Sequence, residues 1–277
     1  MNLSEVKRRE YSQAKILGIV SAVIQWALFG GSIYAIFEAT GPLVSVLGVL
    51  AVVAPIIGFV LKQAASRYYS FGERVRRLLY LQDGLGRQPS PADLLELAES
   101  ATSVPSLDPQ PLDSEFTSEL PKGPQRLAHI TQEASFYTRA VARSASWFYG
   151  TLAVAGLAVT VVGLLLLVQG APALGGVADP AKAWVKAASM LLVFFATGTF
   201  AERAASFHSL SGSAKSVFDK CELLRKAVGV PESDVLLAMG AYDAALAKAQ
   251  PLPGWIYRIR RGRLHEAWKK FMASGTA

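Results

Sequence analysis

Cysteine and histidine, which supply many catalytic groups and metal ligands, are scarce in this chain of 277 residues. Its one cysteine, Cys221, excludes a disulfide within the chain. The three histidines, His129, His208 and His265, are far apart, and no HExxH, Walker, GxGxxG or GxSxG pattern occurs. The sequence therefore predicts a protein that is not an enzyme and has no catalytic residue, no metal site and no cofactor.

Charge is also scarce, at 18% of the residues, against about 25% in an average soluble domain. The deficit is concentrated in uncharged runs at 16–37, 43–61 and 147–168, and in a shorter run at 187–201 that extends back past Lys186. A helix needs about 20 apolar residues to cross the hydrocarbon core of a bilayer. We therefore expect four transmembrane helices, with the Lys186 ammonium reaching the headgroups.

Lysine and arginine are distributed unevenly around these runs. They cluster before the first and third runs and after the second and fourth, at Lys7, Arg8, Arg9, Lys15, Lys62, Arg67, Arg74, Arg76, Arg77, Arg139, Arg143, Arg203, Lys215 and Lys220. Because basic residues are retained in the cytoplasm, both termini and the central segment are predicted to be cytoplasmic. Only two short loops, at about 38–42 and 169–183, lie outside. This bias explains most of the net charge of +7, so no DNA or RNA partner is expected.

The predicted fold class is an all-α integral membrane protein, with four transmembrane helices in two hairpins that extend into a cytoplasmic helical bundle. Its segments are a cytoplasmic helix at 1–15, a first hairpin at 16–61, cytoplasmic helices and a Pro-rich loop (103–124) within 62–146, a second hairpin at 147–201 and a cytoplasmic helical region at 202–277.

Two helix extensions carry apolar residues at alternating steps of three and four, which is typical of packed helical seams. The positions are Leu61, Ala64, Tyr68, Phe71, Val75, Leu78 and Leu85 in one, and Phe207, Leu210, Ala214, Val217, Cys221, Leu224 and Val228 in the other. A short helix is predicted to begin at Pro91, with Ser90 as its N-cap and Asp93 in its first turn. Two further helices are expected, from the Pro231–Glu232 pair to about Ala249 and from about Gly254 to Phe271.

A few polar residues lie in or beside the predicted spans. Serine and threonine there usually bond to their own backbone or to a neighbouring helix, whereas Gln25 has more hydrogen-bonding groups to satisfy. Glu202 and Arg203 follow the fourth span and Lys186 precedes its apolar run. They are either interfacial caps or, with Gln25, the polar lining of a pore. Four spans with so few polar side chains would form a pore between protomers.

The last predicted helix mixes aromatic and basic residues, "GWIYRIRRGRLHEAWKKF". It is a packed helix with a solvated basic face, a helix lying on the anionic inner leaflet, or a surface that binds a phosphate ligand. In the third interpretation Arg258, Arg260, Arg261 and Arg263 bind phosphates, and Trp255 or Tyr257 stacks on a base. We expect Trp255, Leu264 and Trp268 to be packing residues.

The layout and the segment "AYDAALAKAQPLPGWIYRIRRGRLHEAW" together resemble the SMODS-associated four-span effectors, which are relatives of the SLATT membrane proteins of bacterial anti-phage systems. The residues that carry the resemblance are the pair Tyr242–Asp243, Pro251 and Pro253, the run 255–257 and the basic helix from Arg263 to Trp268. A second similarity is "TQEASFYTRAVARSASW" at 131–147, which lacks the Cys-Gln and Trp-Asp pairs expected of the family.

The resemblance implies a CBASS effector in the bacterial inner membrane. A partner nucleotidyltransferase would make a cyclic oligonucleotide, and the effector would respond by oligomerising or opening, so that the membrane is permeabilised and the infected cell dies. Two alternatives stay open: a small constitutive channel or transporter, and a non-conducting scaffold whose cytoplasmic bundle recruits partners.

Overall fold

The computed structural model describes residues 3–37, 42–100, 117–173 and 180–274, apart from the side chains of most residues in 35–52 and 166–188. The Lys186 side chain, most of the Pro-rich loop, residues 38–41 and residues 174–179 lie outside the described residues, whereas 169–173 and 180–183 of the second predicted outer loop are helical. Within those residues the regular elements are all helices, which confirms the predicted helical class. They are α1 Leu3–Phe37, α2 Pro42–Leu85, α3 Pro91–Ser100, α4 Pro124–Ala173, α5 Pro180–Lys226, α6 Glu232–Lys248 and α7 Gly254–Ser274.

Short local signals fix several helix ends. The Ser90 Oγ accepts a hydrogen bond from the Asp93 backbone N–H at 3.1 Å, and the Asp93 carboxylate accepts one from the Ser90 backbone N–H at 2.9 Å. This reciprocal pair is a capping box, and it confirms the predicted start of α3. Gly86 ends α2 with a φ of 75°, and the next residue, Arg87, donates its backbone N–H to the Leu81 carbonyl.

The chain divides into two compact units. The first contains the described residues within 1–15, 65–145 and 206–277, and the second contains those within 16–64 and 146–205. Each of the four long helices, α1, α2, α4 and α5, therefore contributes residues to both units.

The first unit is organised around α4. All residues from Leu127 to Glu133 are buried, so this part of α4 is enclosed on every side. A separate apolar cluster joins α1, α2 and α3 through Leu3, Val6, Phe71, Val75, Leu79 and Leu97. Gly84 of α2 packs so closely on α4 that a Cβ added there would lie 2.9 Å from the Leu127 Cβ.

The seam predicted on α5 is confirmed along most of its length, because Phe207, Leu210, Ala214, Val217 and Cys221 are all buried. The prediction for α2 was partly wrong. Phe71 and Val75 are buried, but the rest of the stripe is shifted by about one residue and passes through Ala65, Tyr69, Gly72, Arg76 and Leu79. An apolar pattern misses this register because the stripe includes a charged side chain, Arg76.

The second unit exposes its apolar side chains. Among them are Ile19, Val23, Val49, Phe59, Val154, Leu157, Leu165, Phe194 and Phe195. Its buried residues include the polar Ser21, Ser32, Thr160 and Ser189. Two of these hydroxyls donate to carbonyls of their own helix, Ser32 to Leu28 and Thr160 to Gly156, as expected for serine and threonine in apolar helices.

Two helical stretches among the described residues are long and apolar enough to cross a membrane. Leu3–Tyr34 has a mean hydropathy of 1.8 and Pro124–Leu165 one of 2.0 over their most apolar windows. Only 11% and 22% of these windows is buried inside the protein, whereas the core helix of a soluble domain would be mostly covered. On α2, the side chains of 43–45, 47, 48, 50–52 and 55 within the predicted span lie outside the described residues, and on α5 only the start of the predicted span, up to residue 188, does.

Candidate functional site

A buried ionic network lies in the first unit, with the Arg76 guanidinium at its centre. Arg76 is 8% exposed. Its Nε lies 2.6 Å from a Glu73 carboxylate oxygen, one turn away on α2, and its Nη2 lies 2.9 Å from Asp243 Oδ1 on α6. Arg77 Nε approaches the other Asp243 oxygen at 3.8 Å. The network therefore links α2 to α6 through charge-assisted contacts.

Tyrosines enclose these charges. The Tyr11 hydroxyl donates to Glu73 Oε1 at 2.6 Å, which brings α1 into the network. The Arg76 guanidinium carbon lies 4.9 Å from the ring centroid of Tyr80 and 4.8 Å from that of Tyr242. Both distances are within the range of cation–π attraction.

Tyr242 extends the network to α4. Its hydroxyl lies 2.6 Å from the Thr138 hydroxyl and donates to the Ala134 carbonyl at 3.2 Å. Tyr242 and Asp243 are the pair on which the family resemblance depends. Their neighbouring side chains contact Arg76 in two different ways, by the ring face and by the carboxylate.

Burial sets the protonation of these groups. It raises the pKa values of Tyr11, Tyr69, Tyr80 and Tyr242, so the phenols keep their protons. Burial also raises the pKa of Asp243, although Arg76 and Arg77 oppose the shift. For Arg76 itself, burial disfavours the charge, but Tyr80 and Glu73 outweigh it and raise the pKa well above its usual range. The Arg76 guanidinium therefore stays positively charged between the carboxylates of Glu73 and Asp243.

An aromatic layer lies elsewhere in the first unit, where α4, α5 and α7 meet. Trp268 of α7 is buried, and its ring centroid lies 5.5 Å from that of Phe136 and 5.6 Å from that of Phe271. The Phe271 ring in turn contacts Phe218 of α5 at 5.2 Å. The His129 imidazole stacks on Trp268 at 5.7 Å. The layer fixes α7 against the other two helices.

The structure places the four tail arginines on the surface of α7. Arg258, Arg260, Arg261 and Arg263 are all exposed, and none has a hydrogen-bond or ion-pair partner among the described residues. Their guanidinium groups are therefore accessible to an anion from solution or from a membrane surface.

The aromatic residues of the tail differ in their packing. Leu264 and Trp268 are buried as predicted, but the prediction for Trp255 was wrong, because it is 44% exposed and the next residue, Ile256, is buried instead. Tyr257 is also partly exposed, and its ring centroid lies 6.2 Å from that of Tyr137 on α4. Trp255 is exposed because it lies nine residues before Leu264, which places it on the opposite face of α7 from that buried residue.

Among the candidate pore residues, the two charges near the end of the fourth apolar run have partners in the second unit. Glu202 accepts a hydrogen bond from the Lys62 ammonium at 2.7 Å. The Arg203 guanidinium donates to the Tyr149 hydroxyl at 3.3 Å, with its carbon 5.4 Å from that ring's centroid. Gln25 has a buried amide oxygen that lacks a partner within the described residues. Lys62 and Tyr149 were not predicted to take part.

Metal-ligand groups and an activated thiol are not found in the described part of the chain. No group of three or more His, Cys, Asp or Glu residues there could hold a metal ion. Cys221 is buried, and burial raises its pKa to about 12. Its thiol is therefore protonated and unreactive at neutral pH.

A shallow groove runs between α5 and α6 in the first unit. It has a volume of about 370 Å³ and is lined by Ser206, Ser209, Leu210, Ser213, Ala241, Ala244, Ala245, Lys248 and Ala249. Small side chains of this kind allow another helix to approach closely.

The buried network was not predicted, because Arg76 and Arg77 were expected only to be basic residues beside the membrane. A signal for it was present: Glu73 and Arg76 are spaced i, i+3 on one helix, which places opposite charges side by side.

The chain matches no family model, no curated protein and no solved structure.

Proposed function

We propose that the chain is an inner-membrane protein with four transmembrane helices, formed by the apolar parts of α1, α2, α4 and α5. The apolar exposed surface of the second unit supports this proposal, because such a surface is stable in lipid but not in water. The distribution of lysine and arginine supports an orientation in which both termini and the first unit are cytoplasmic.

We further propose that this protein is an effector of an anti-phage signalling system. In this account it responds to a cyclic oligonucleotide from a partner nucleotidyltransferase and permeabilises the membrane. The observation that carries the proposal is the sharing of four long helices between two unlike units, one with exposed apolar side chains and one with buried charges and an exposed basic tail. A ligand that repacks the first unit would move helices that continue into the second.

The permeable state would be a homo-oligomer. Ser21 Oγ and Gln25 Oε1 lie one turn apart on α1, and both are buried without a partner among the described residues. In hydrocarbon, such groups favour a rearrangement that provides water or a hydrogen-bonding side chain. A pore that opens between protomers would supply both water and polar side chains to these groups. The pore would have to form between copies, because one copy has too few polar side chains to line a hydrated path.

Dye release from liposomes tests this function. Purified protein is reconstituted into sealed vesicles loaded with a self-quenching dye, and cyclic di- and trinucleotides are added one at a time. A linear dinucleotide of the same base composition is the matched control. The proposal predicts release with at least one cyclic nucleotide and none with its linear counterpart. Vesicles that stay sealed under every condition contradict the effector function, and release that begins without nucleotide favours a constitutive channel.

The groove between α5 and α6 favours a second candidate function, that of a scaffold. Its serine and alanine side chains would accommodate a partner helix, and the partner would be recruited to the membrane without any conduction. Sealed vesicles together with stable capture of a second protein at this groove would support the scaffold over the effector.

A further inference from the structure

Arg225, near the end of α5, has an unusual set of partners for a partly buried arginine. Its Nη1 donates to the Met272 thioether at 3.5 Å, and its Nε is buried with no partner among the described residues. A thioether is a weak acceptor, whereas a guanidinium binds best to carboxylate or phosphate oxygens. Arg76 and Arg126 of the same unit both have such partners, in Asp243 and Asp83. Arg225 has the donors of an anion site with no anion acceptor among its described contacts.

A second group with unmet hydrogen bonds lies next to it. His129 of α4 is 5% exposed, and both of its ring nitrogens are without a partner in the described part of the protein. Burial, and then the charges of Arg225 and Arg126, lower the pKa of His129. A neutral imidazole still carries one N–H that requires an acceptor. His129 stacks on Trp268, and Met272, which contacts Arg225, lies one turn further along α7, so the two sets of unmet donors belong to one region of the first unit.

We propose that Arg225 and His129 form a binding site for a phosphate group, which the last turn of α7 covers in this structure. The phosphate oxygens accept hydrogen bonds from Arg225 Nε and Nη1 and from the His129 ring. The anion takes the place of the Met272 thioether. This site is separate from the tail arginines of the proposed function and depends only on contacts within the first unit.

Met272 and the residues after it are suited to move, while Trp268 and Phe271 of the aromatic layer hold the rest of α7 in place. Trp268, one turn before Met272, is 2% exposed and stacks on His129. Phe271 and Met272 are only partly buried, and the helix ends at Ser274. Lys269 and Lys270 are exposed on the same part of α7, and their charges attract an anion toward the site.

The test uses the full chain in nanodiscs and follows the ¹³Cε1–¹H signals of its three histidines. His208→Gln and His265→Gln variants assign the His129 signal. Inorganic pyrophosphate is the probe, in discs of zwitterionic lipid. The proposal predicts a saturable change in the chemical shift of the His129 signal. In Arg225→Met this change should be at least tenfold smaller at the same pyrophosphate concentration. Arg143→Met, which removes an exposed arginine on α4, is the matched control and keeps the shift.

A second arm identifies the source of the phosphate. Discs that contain phosphatidic acid, with no pyrophosphate, shift the same signal if a lipid headgroup reaches the site. An unshifted signal there, with a shift by pyrophosphate, assigns the site to a soluble phosphate. Both outcomes support the site. The absence of a shift in both arms, or a shift of full size in Arg225→Met, overturns it.

Met272→Glu keeps the proposal testable if Arg225→Met fails to fold. A carboxylate at this position pairs with Arg225 and occupies the site from within the chain, so it should raise the Tm and abolish the pyrophosphate shift. A Met272→Glu protein that binds pyrophosphate as the wild type does would contradict the proposal. Dye release is scored separately, so failure of the effector function leaves this result intact.

Discussion

The Arg76 guanidinium lies 2.9 Å from the Asp243 carboxylate, and this contact joins α2 to α6 through two residues that are 167 positions apart in the sequence. Both side chains are largely buried, at 10% and 19% exposure. Removal of one partner from a buried pair leaves the other charge without compensation, which usually costs about 3–5 kcal/mol. Arg76 therefore contributes strongly to the docking of α6 in the first unit, together with the hydrogen bonds of Tyr242 and the buried apolar residues of α6.

Arg76→Met should lower the free energy of unfolding by about 3–5 kcal/mol, because Glu73 and Asp243 would lose their buried counter-charge. Arg74→Met is the matched control two residues away. The Arg74–Glu96 pair is 63% and 67% exposed, and pairs of this kind contribute about 0.2–1 kcal/mol. Denaturant unfolding in detergent measures both variants. Equal losses for the two would contradict the role assigned to the network.

Gly84→Ala should destabilise the first unit by about 1–3 kcal/mol. A new Cβ would lie 2.9 Å from the Leu127 Cβ and 3.0 Å from its Cα, so the backbones of α2 and α4 would have to separate. Gly240→Ala is the control, since an added Cβ meets nothing within 4 Å there. That variant should gain about 0.4–1 kcal/mol through the lower entropy of its unfolded chain. A Tm that rises in both variants would show that the close approach is absent.

His129 should make the stability of the protein depend on pH. Burial, with Arg225 and Arg126, places its pKa below the ordinary value of 6.5, so the folded state binds its proton less readily than the unfolded state. The contribution of neutral His129 to the free energy of unfolding is therefore fully present above pH 6.5, and it is lost as the pH falls through the pKa of His129 in the folded state. Tm measured from pH 8 down to about pH 4 should decline less steeply in His129→Gln than in the wild type. The exposed His208→Gln should leave the slope unchanged, and a similar flattening in both variants would contradict the assignment to His129.

The double variant Arg258→Glu/Arg261→Glu tests the tail. Both side chains are exposed, so the reversal should change the free energy of unfolding by no more than about 0.5 kcal/mol. If the tail binds the phosphates of the ligand, nucleotide-dependent dye release should be abolished. The double variant Lys215→Glu/Lys220→Glu, on exposed positions of α5, makes the same change in net charge and is the control. Unchanged release in the double variant would assign the tail to a solvated or membrane-facing surface.

Local signals allowed the helix boundaries to be predicted from the sequence. These signals act within a few residues of the chain, as the capping residues Ser90 and Asp93 and the prolines before Gly254 do. They can therefore be recognised in the sequence without knowledge of the tertiary structure. The α5 seam was predictable for the same reason, because its buried residues are apolar and evenly spaced.

The buried network could not be predicted in this way. Its stability arises from contacts between residues that are distant in sequence, and its central residue is charged. A pattern that assigns charged residues to the surface places Arg76 in solvent and moves the α2 stripe by one position. Trp255 is a different case, because helical spacing alone places it on the face of α7 opposite Leu264 and predicts that it is exposed.

The decisive measurement of the four-span topology is the accessibility of single cysteines from each side of the membrane. Cys221→Ser gives a cysteine-free chain, into which single cysteines are placed at Arg87, Gly176 and Arg258. A membrane-impermeant maleimide is added to whole spheroplasts and to inverted vesicles. With four spans, position 176 should be labelled only in spheroplasts, and positions 87 and 258 only in inverted vesicles. Labelling of positions 87 and 176 from the same side would contradict the four-span topology and the function proposed on it.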